Sequence, residues 1–107
     1  MQGINLRFYV QEDLKHNHVP VYEWLLEHAR RLGLHGGSAF KAMAGFGRHG
    51  VHEDHFFELA GRLPLVVEFI VSVEEADRLL TFVQAAEVTL FYVKLPAEYG
   101  WIKGPKA

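Results

Sequence analysis

Residues 44–50 read Ala-Gly-Phe-Gly-Arg-His-Gly and come directly after a segment that has the pattern of a strand. Three of these seven residues are glycine, which permits positive φ and lets the backbone approach a ligand closely. Successive N–H groups at such a turn can form an anion-binding concavity, and the arginine beside them can donate hydrogen bonds to phosphate oxygens. Taken alone, the heptapeptide is equally consistent with a glycine-rich bend that leads the chain out of a sheet.

Four segments around this heptapeptide have the apolar pattern of β-strands. Residues 4–10 alternate apolar and polar side chains, and residues 65–72 have the strongest alternation in the chain. Residues 38–44 predict a short strand between them. Residues 88–95 predict a last strand, less regular because several apolar residues run together, and Pro96 is expected to stop it.

Two amphipathic helices are predicted between the strands. Pro20 suits the first turn of a helix, with Asn17 or His18 near its N-cap, and Gly33 is expected to end it. Tyr22 and Trp24 fall off the main apolar face of this helix. We therefore expect them to cover a contact between subunits rather than to stack on a ligand.

The second helix begins with a capping box, in which Ser72 is the N-cap and Glu75 stands at N3. The resulting order, β-α-β-β-α-β, is typical of the ferredoxin-like fold: an α+β sandwich with a four-stranded antiparallel sheet and two helices on one face. The other face is too apolar to be left in water. Its predicted apolar residues are Phe40, Val66, Ile70 and Phe91. We therefore expect the sheet to pack against other copies of the chain.

The composition predicts one globular domain over residues 1–107, since half of the residues are apolar and 22% are charged. No apolar run is long enough for a membrane span, and the first residues lack the pattern of a signal peptide. The absence of cysteine excludes disulfides and fits a cytoplasmic protein. A net charge of −2 argues against nucleic acid as a partner. Residues 97–107 form a tail that is either an arm over a neighbour or partly frayed.

The runs Gly36-Gly37-Ser38, Gly45-Phe46-Gly47-Arg48 and Leu63-Pro64 resemble those of the nitrogen regulatory PII signalling proteins. They are still more similar to the PII-like relatives of unknown function (domain of unknown function 190). The resemblance covers about residues 4–95. It implies a homotrimer whose sheets face the trimer axis, and a mobile loop over residues 46–62.

The resemblance also implies a binding site at clefts between subunits, where a PII-like protein holds a small anionic effector such as an adenine nucleotide. Gly45 and Gly47 would give the backbone access to phosphate, Arg48 would supply charge, and Arg62 could add to it. Ser38 falls near a residue that contacts the base. The full set of candidate ligand-binding residues is Gly36, Gly37, Ser38, Gly45, Phe46, Gly47, Arg48 and Arg62. The loop would engage a regulated target protein, such as a membrane transporter, although no residue points to one.

Three departures from the PII pattern bear on this expectation. Residues 84–87 read Gln-Ala-Ala-Glu where PII proteins carry a phosphate-binding loop with a lysine, so binding of ATP in the PII manner is in doubt. Residues 45–64 contain no tyrosine, which argues against regulation by tyrosine modification. The polar segment over residues 12–20 is longer than in PII and matches the uncharacterised relatives.

Three histidines inside the loop offer an alternative function. His49, His52 and His55 recur at every third position, and imidazole is a good ligand for zinc, copper or nickel. They would make the chain a divalent-metal-responsive trimeric module linked to ion tolerance, although a physiological metal is the less favoured hypothesis. We find no nucleophile–base pairing and no spaced carboxylates, so we do not expect an enzyme.

Overall fold

The computed structural model describes residues 1–45 and 64–105. The elements are β1 Gln2–Gln11, α1 Val21–Arg31, β2 Ser38–Lys41, β3 Pro64–Val71, α2 Val73–Ala85 and β4 Phe91–Glu98. The four strands form an antiparallel sheet with strand order β2-β3-β1-β4, and the two helices pack on one of its faces. The α+β ferredoxin-like fold expected from the sequence is therefore confirmed.

The core lies between the sheet and the helices, and the alternation of the two central strands builds it. From Leu6 to Val10 in β1 and from Leu65 to Val71 in β3, every second residue points toward the helices and is almost fully buried. From the sheet these residues are Leu6, Phe8, Val10, Leu65, Val67, Phe69 and Val71. The helices contribute Val21, Trp24, Leu25, Ala29, Ala76, Leu79 and Val83. Because side chains alternate between faces with a period of two, the remaining residues of each strand face the opposite side.

Helix α2 begins with the capping box that the sequence predicts. The Ser72 hydroxyl accepts a hydrogen bond from the backbone N–H of Glu75 at 3.1 Å, and the Glu75 carboxylate accepts one from the backbone N–H of Ser72 at 2.9 Å. Two of the N–H groups that a helix start leaves without intrahelical partners are thereby satisfied. The cap also fixes where the chain turns from β3 into α2.

The start of α1 differs from the prediction. Pro20 itself is the N-cap, and no side chain caps the helix. Asn17 and His18 instead form the turn of a small hairpin that pairs Lys15–His16 with Val19–Pro20, inside the segment predicted as a polar loop. Their φ angles of 51° and 72° are the two consecutive positive values that a tight two-residue hairpin turn requires.

Trp24 does not lie on an outer surface as expected, because its side chain is only 8% exposed. Its ring packs against Phe82 of α2 at 5.2 Å between centroids and against His28 at 5.5 Å. His16 of the hairpin covers it from the other side at 5.0 Å. The indole therefore joins the hairpin, α1 and α2 within one chain, and the prediction that it covers a subunit contact was wrong.

Strand β4 is displaced along the chain from its predicted position, and Pro96 lies within it, paired with Ile4. The physical reason is the place of β4 at the edge of the sheet, where a proline can turn its missing N–H away from the neighbouring strand. Strand β2 ends at Lys41, which is earlier than predicted. Its four residues are all exposed, so little burial extends it.

The sheet face opposite the helices, the open face, carries large apolar side chains as predicted. Phe40, Ile70 and Phe91 are 54%, 42% and 53% exposed, and Val66 lies among them, half-buried. Tyr9 and Leu95 add to this surface. Large contiguous apolar surfaces of this kind mark interaction sites in soluble proteins.

Two hydrogen bonds join Met1, which precedes β1, to Tyr99, which follows β4. The Tyr99 N–H donates to the Met1 carbonyl at 2.9 Å, and the Met1 amino group donates to the Tyr99 carbonyl at 2.7 Å. Residues 100–105 then leave the sheet, and Trp101 and Ile102 are 87% and 99% exposed. Neither α1 nor α2, the helices of the described residues, has the length and apolar character of a membrane span.

The capping box gives a direct test of this fold. We expect Ser72→Ala to lower the free energy of unfolding by about 1 kcal/mol, because it leaves the Glu75 N–H without its acceptor. Thr81→Ala, at an exposed position in the same helix, is the matched control and should not lower it. Urea denaturation measures both changes, and equal stabilities of the two variants would contradict the assignment of the cap.

Candidate functional site

Strand β2 carries the described part of the candidate site. Gly36 and Gly37 precede it, Ser38 is its first residue, and Gly45 follows its end. Seven further candidates lie outside the described residues: Phe46, Gly47, Arg48, Arg62, His49, His52 and His55. The expected loop over residues 46–62 lies outside them as well. Among residues 1–45 and 64–105, no group of three or more metal-ligating side chains comes together.

The structure places the two glycine segments at opposite ends of β2. The four residues of β2 separate them by at least about 10 Å, at 3.3 Å per residue. Within the described residues β2 is an edge strand, paired on one side only with β3. A ligand that contacts both segments would therefore lie along this open edge or be shared with a neighbouring molecule.

Gly37 is required by packing. A Cβ at this position would lie 2.5 Å from Cε1 of Phe69 and 3.0 Å from Cδ2 of Leu26. Phe69 is almost fully buried and meets the ring of Phe8 edge to face, so making room for a Cβ would require packed core side chains to shift. A Cβ on Gly36 would meet no atom of residues 1–45 and 64–105 within 4 Å, so within this part of the chain Gly36 is the one of the pair with open space beside it.

Gly45 lies beside Pro64, the residue that begins β3. A Cβ on Gly45 would be 3.7 Å from Cγ of Pro64, and the Ala42 N–H donates to the Pro64 carbonyl at 2.9 Å. The chain therefore leaves the sheet after β2 and re-enters it at β3 at nearly the same point.

Lys41 places a cation at this end of β2. From the sequence it was expected only to lie in a strand. Its ammonium group donates to Oε2 of Glu12 at 3.2 Å, and both side chains remain partly exposed. Oε1 of Glu12 is buried and has no hydrogen-bond partner among the described residues. The sequence signal that could have identified Lys41 is its place at the end of a strand, four residues before Gly45.

The C-terminus of α2 has the wrong electrostatics for a phosphate. α2 ends at Ala85, so residues 84–87 include its last carbonyl groups, which carry the negative end of the helix dipole. Glu87 adds a carboxylate in a left-handed conformation with φ of 62°, a place that glycine usually takes. The negative charge around residues 84–87 therefore disfavours phosphate binding of the PII kind at this loop.

Comparison with known sequences identifies one family over most of the chain. The DUF190 family, described as "Uncharacterized ACR", matches residues 3–91. A UPF0166 protein of Aquifex aeolicus (strain VF5) is 38% identical over 76 residues, which cover 70% of this chain and 72% of that protein. The UPF0166 protein MJ1524 of Methanocaldococcus jannaschii is 29% identical over 75 residues, covering 70% of this chain and 69% of that one.

Comparison with solved structures supports the same fold. CPII, a nitrogen regulatory PII-like protein from Thiomonas intermedia K12 bound to ADP, AMP and bicarbonate, superposes with a TM-score of 0.55 and 17% identity, covering 94% of this chain and 98% of CPII. Its complex with ADP and bicarbonate gives a TM-score of 0.54 and 21% identity over 91% of this chain and 89% of that one. At these identities the likeness concerns the fold.

Gly36 and Gly37, the neighbouring glycines before β2, allow the packing role of Gly37 to be tested against a matched control. We expect Gly37→Ala to lower the free energy of unfolding by about 1–3 kcal/mol, because the added methyl group overpacks the core at Phe69. Gly36→Ala should leave it unchanged or raise it by up to about 1 kcal/mol through the unfolded state. Chemical denaturation measures the difference, and two equally stable variants would disprove the packing role of Gly37.

Proposed function

The chain belongs to the DUF190 family, and from this premise we propose that it is a PII-like regulatory protein that binds a small anionic effector, an adenine nucleotide, at clefts between its subunits. The observation that carries the proposal is β2, an exposed edge strand with a glycine segment at each end. The PII-like fold, shared with CPII bound to ADP and AMP, supports it. The proposal treats residues 1–107 as one cytoplasmic domain and assigns no catalytic residue.

Self-association is part of this proposal, in the form of a homotrimer. The open face supports it, because Phe40, Ile70 and Phe91 expose apolar surface that the helices do not cover. Covering that surface with further copies would remove it from water at about 25 cal/mol per Å² of apolar area. The clefts between copies would then include the exposed edge of β2.

The binding chemistry combines the glycine-rich exit of β2 with positive charge. Gly45 has no side chain to keep a ligand away from the backbone after β2, and we assign Gly47 and Arg48 to the phosphate by resemblance. Lys41 adds a cation at the same end of β2, released from Glu12 when a phosphate competes for it. This lysine takes the place of the one that residues 84–87 lack.

Signalling in this proposal runs through residues 46–62 to a target protein. Gly45 and Pro64 lie side by side, so an anion bound at this point contacts the start of the segment and bears on its return to β3. A ligand that prefers one arrangement of the segment shifts its population toward that arrangement. The target is a protein controlled by that shift, and a membrane transporter is the example that the family resemblance suggests.

A thermal-shift panel tests the effector. We expect AMP, ADP or ATP to raise the melting temperature, with a stabilisation of about 2.7 kcal/mol at a concentration of one hundred times Kd. Arg48→Ala should abolish the rise and Lys41→Ala should reduce it, because each removes a charge that pairs with phosphate. Arg30→Ala, on the solvent side of α1 beside Glu27, is the matched control and should retain it.

Other outcomes of the panel point elsewhere. A rise with bicarbonate but with no nucleotide would replace the nucleotide in the proposal by a smaller anion. A rise with Zn²⁺, Cu²⁺ or Ni²⁺ alone, lost in a His52→Ala and His55→Ala double variant, would favour the metal-responsive alternative. A nucleotide effect that Arg48→Ala leaves unchanged would remove the glycine-rich exit from the site.

A further inference from the structure

The open face has a polar cluster at its centre, formed by Asn5, Arg7 and Glu68. Oε2 of Glu68 accepts a hydrogen bond from Nδ2 of Asn5 at 3.2 Å and one from Nε of Arg7 at 3.3 Å. Arg7 and Glu68 are paired directly across β1 and β3. The cluster therefore sits on the two central strands of the sheet, where its position is fixed by the strand register.

Apolar side chains stand on both sides of this cluster. One row across the sheet contains Phe40, Val66, Tyr9 and Phe91. The row on the other side of the cluster contains Ile70 and Leu95, which flank Asn5. A charged pair thus lies in the middle of an apolar surface that is exposed in the single chain.

One atom of the cluster lacks a hydrogen bond. Oδ1 of Asn5 is buried within the chain and has no partner among the described residues. A buried acceptor without a donor is unfavourable, and such atoms are uncommon in folded proteins. A donor brought by another molecule would satisfy it.

We propose that Asn5, Arg7 and Glu68 fix the register in which copies of this chain meet across the open face. The inference rests on the self-association included in the proposed function and adds which residues determine its geometry. A polar group on an otherwise apolar interface selects one register and one number of copies, because other arrangements bury it without a partner.

The charges of the cluster favour a copy of the same chain over another partner. The cluster carries one guanidinium group and one carboxylate, so its surface is its own complement. In a covered face each charge needs an opposite charge near it, and removing one member of a buried pair is strongly destabilising. A partner of one sign would leave Arg7 or Glu68 facing a like charge.

Charge reversal and mixing test this inference. We expect Arg7→Glu and Glu68→Arg each to weaken self-association at least tenfold, since each gives the open face charges of a single sign. An equimolar mixture of the two variants should recover mixed assemblies, because an assembly that contains both variants gathers far less charge of one sign at the open face than an assembly of either variant alone. Native mass spectrometry and sedimentation velocity identify these mixed species directly.

Matched variants on the helix side provide the controls. Glu74→Arg and Arg30→Glu reverse the same charges on α2 and α1, at exposed positions away from the open face, and should assemble as the wild type does. Far-UV circular dichroism checks that each variant folds. If a reversal does not fold, Arg7→Gln and Glu68→Gln replace it, with the same expected recovery on mixing.

The outcomes separate this inference from the proposed function. Assembly that survives both reversals, or a mixture that stays monomeric while the wild type assembles, would overturn the register role and leave nucleotide binding untouched. A wild type that is monomeric at all concentrations would overturn the trimer and the register role together. Recovery on mixing in a protein that shows no nucleotide response would support the register role and contradict only the effector.

Discussion

β1 and β3 pair from Ile4 with Val71 to Gln11 with Pro64, and this pairing ties each apolar side chain beneath the helices to a neighbour on the adjacent strand. A slip of one residue would carry every one of those side chains to the opposite face of the sheet. The same register places Arg7 beside Glu68 on the open face. One constraint therefore positions both the buried core and the charged cluster.

Much of the fold could be predicted because its signals are local. Neighbouring residues alone determine the alternation in β1 and β3 and the capping box at Ser72. The structure has both features. The errors arose where distant contacts decide. Trp24 is buried by Phe82 and His16 from other elements, and Pro96 is accepted because β4 is an edge strand.

The candidate site was predictable to a smaller extent. The sequence indicated that the glycines around β2 matter, but it could not separate Gly37, which the buried ring of Phe69 requires, from Gly36, which has open space. It also gave no sign of the contact between Lys41 and Glu12, which lies just beyond β1, because distant parts of the chain form this contact. A glycine in the sequence indicates that another group approaches the backbone closely. Only the tertiary structure shows which group that is.

Pro96 has a consequence for how this protein behaves at high concentration. A free sheet edge is a template on which further strands can add, and continuous addition leads to fibrils. On the outer edge of β4, Pro96 interrupts the row of N–H donors that an incoming strand would need. Growth across this edge is thereby disfavoured.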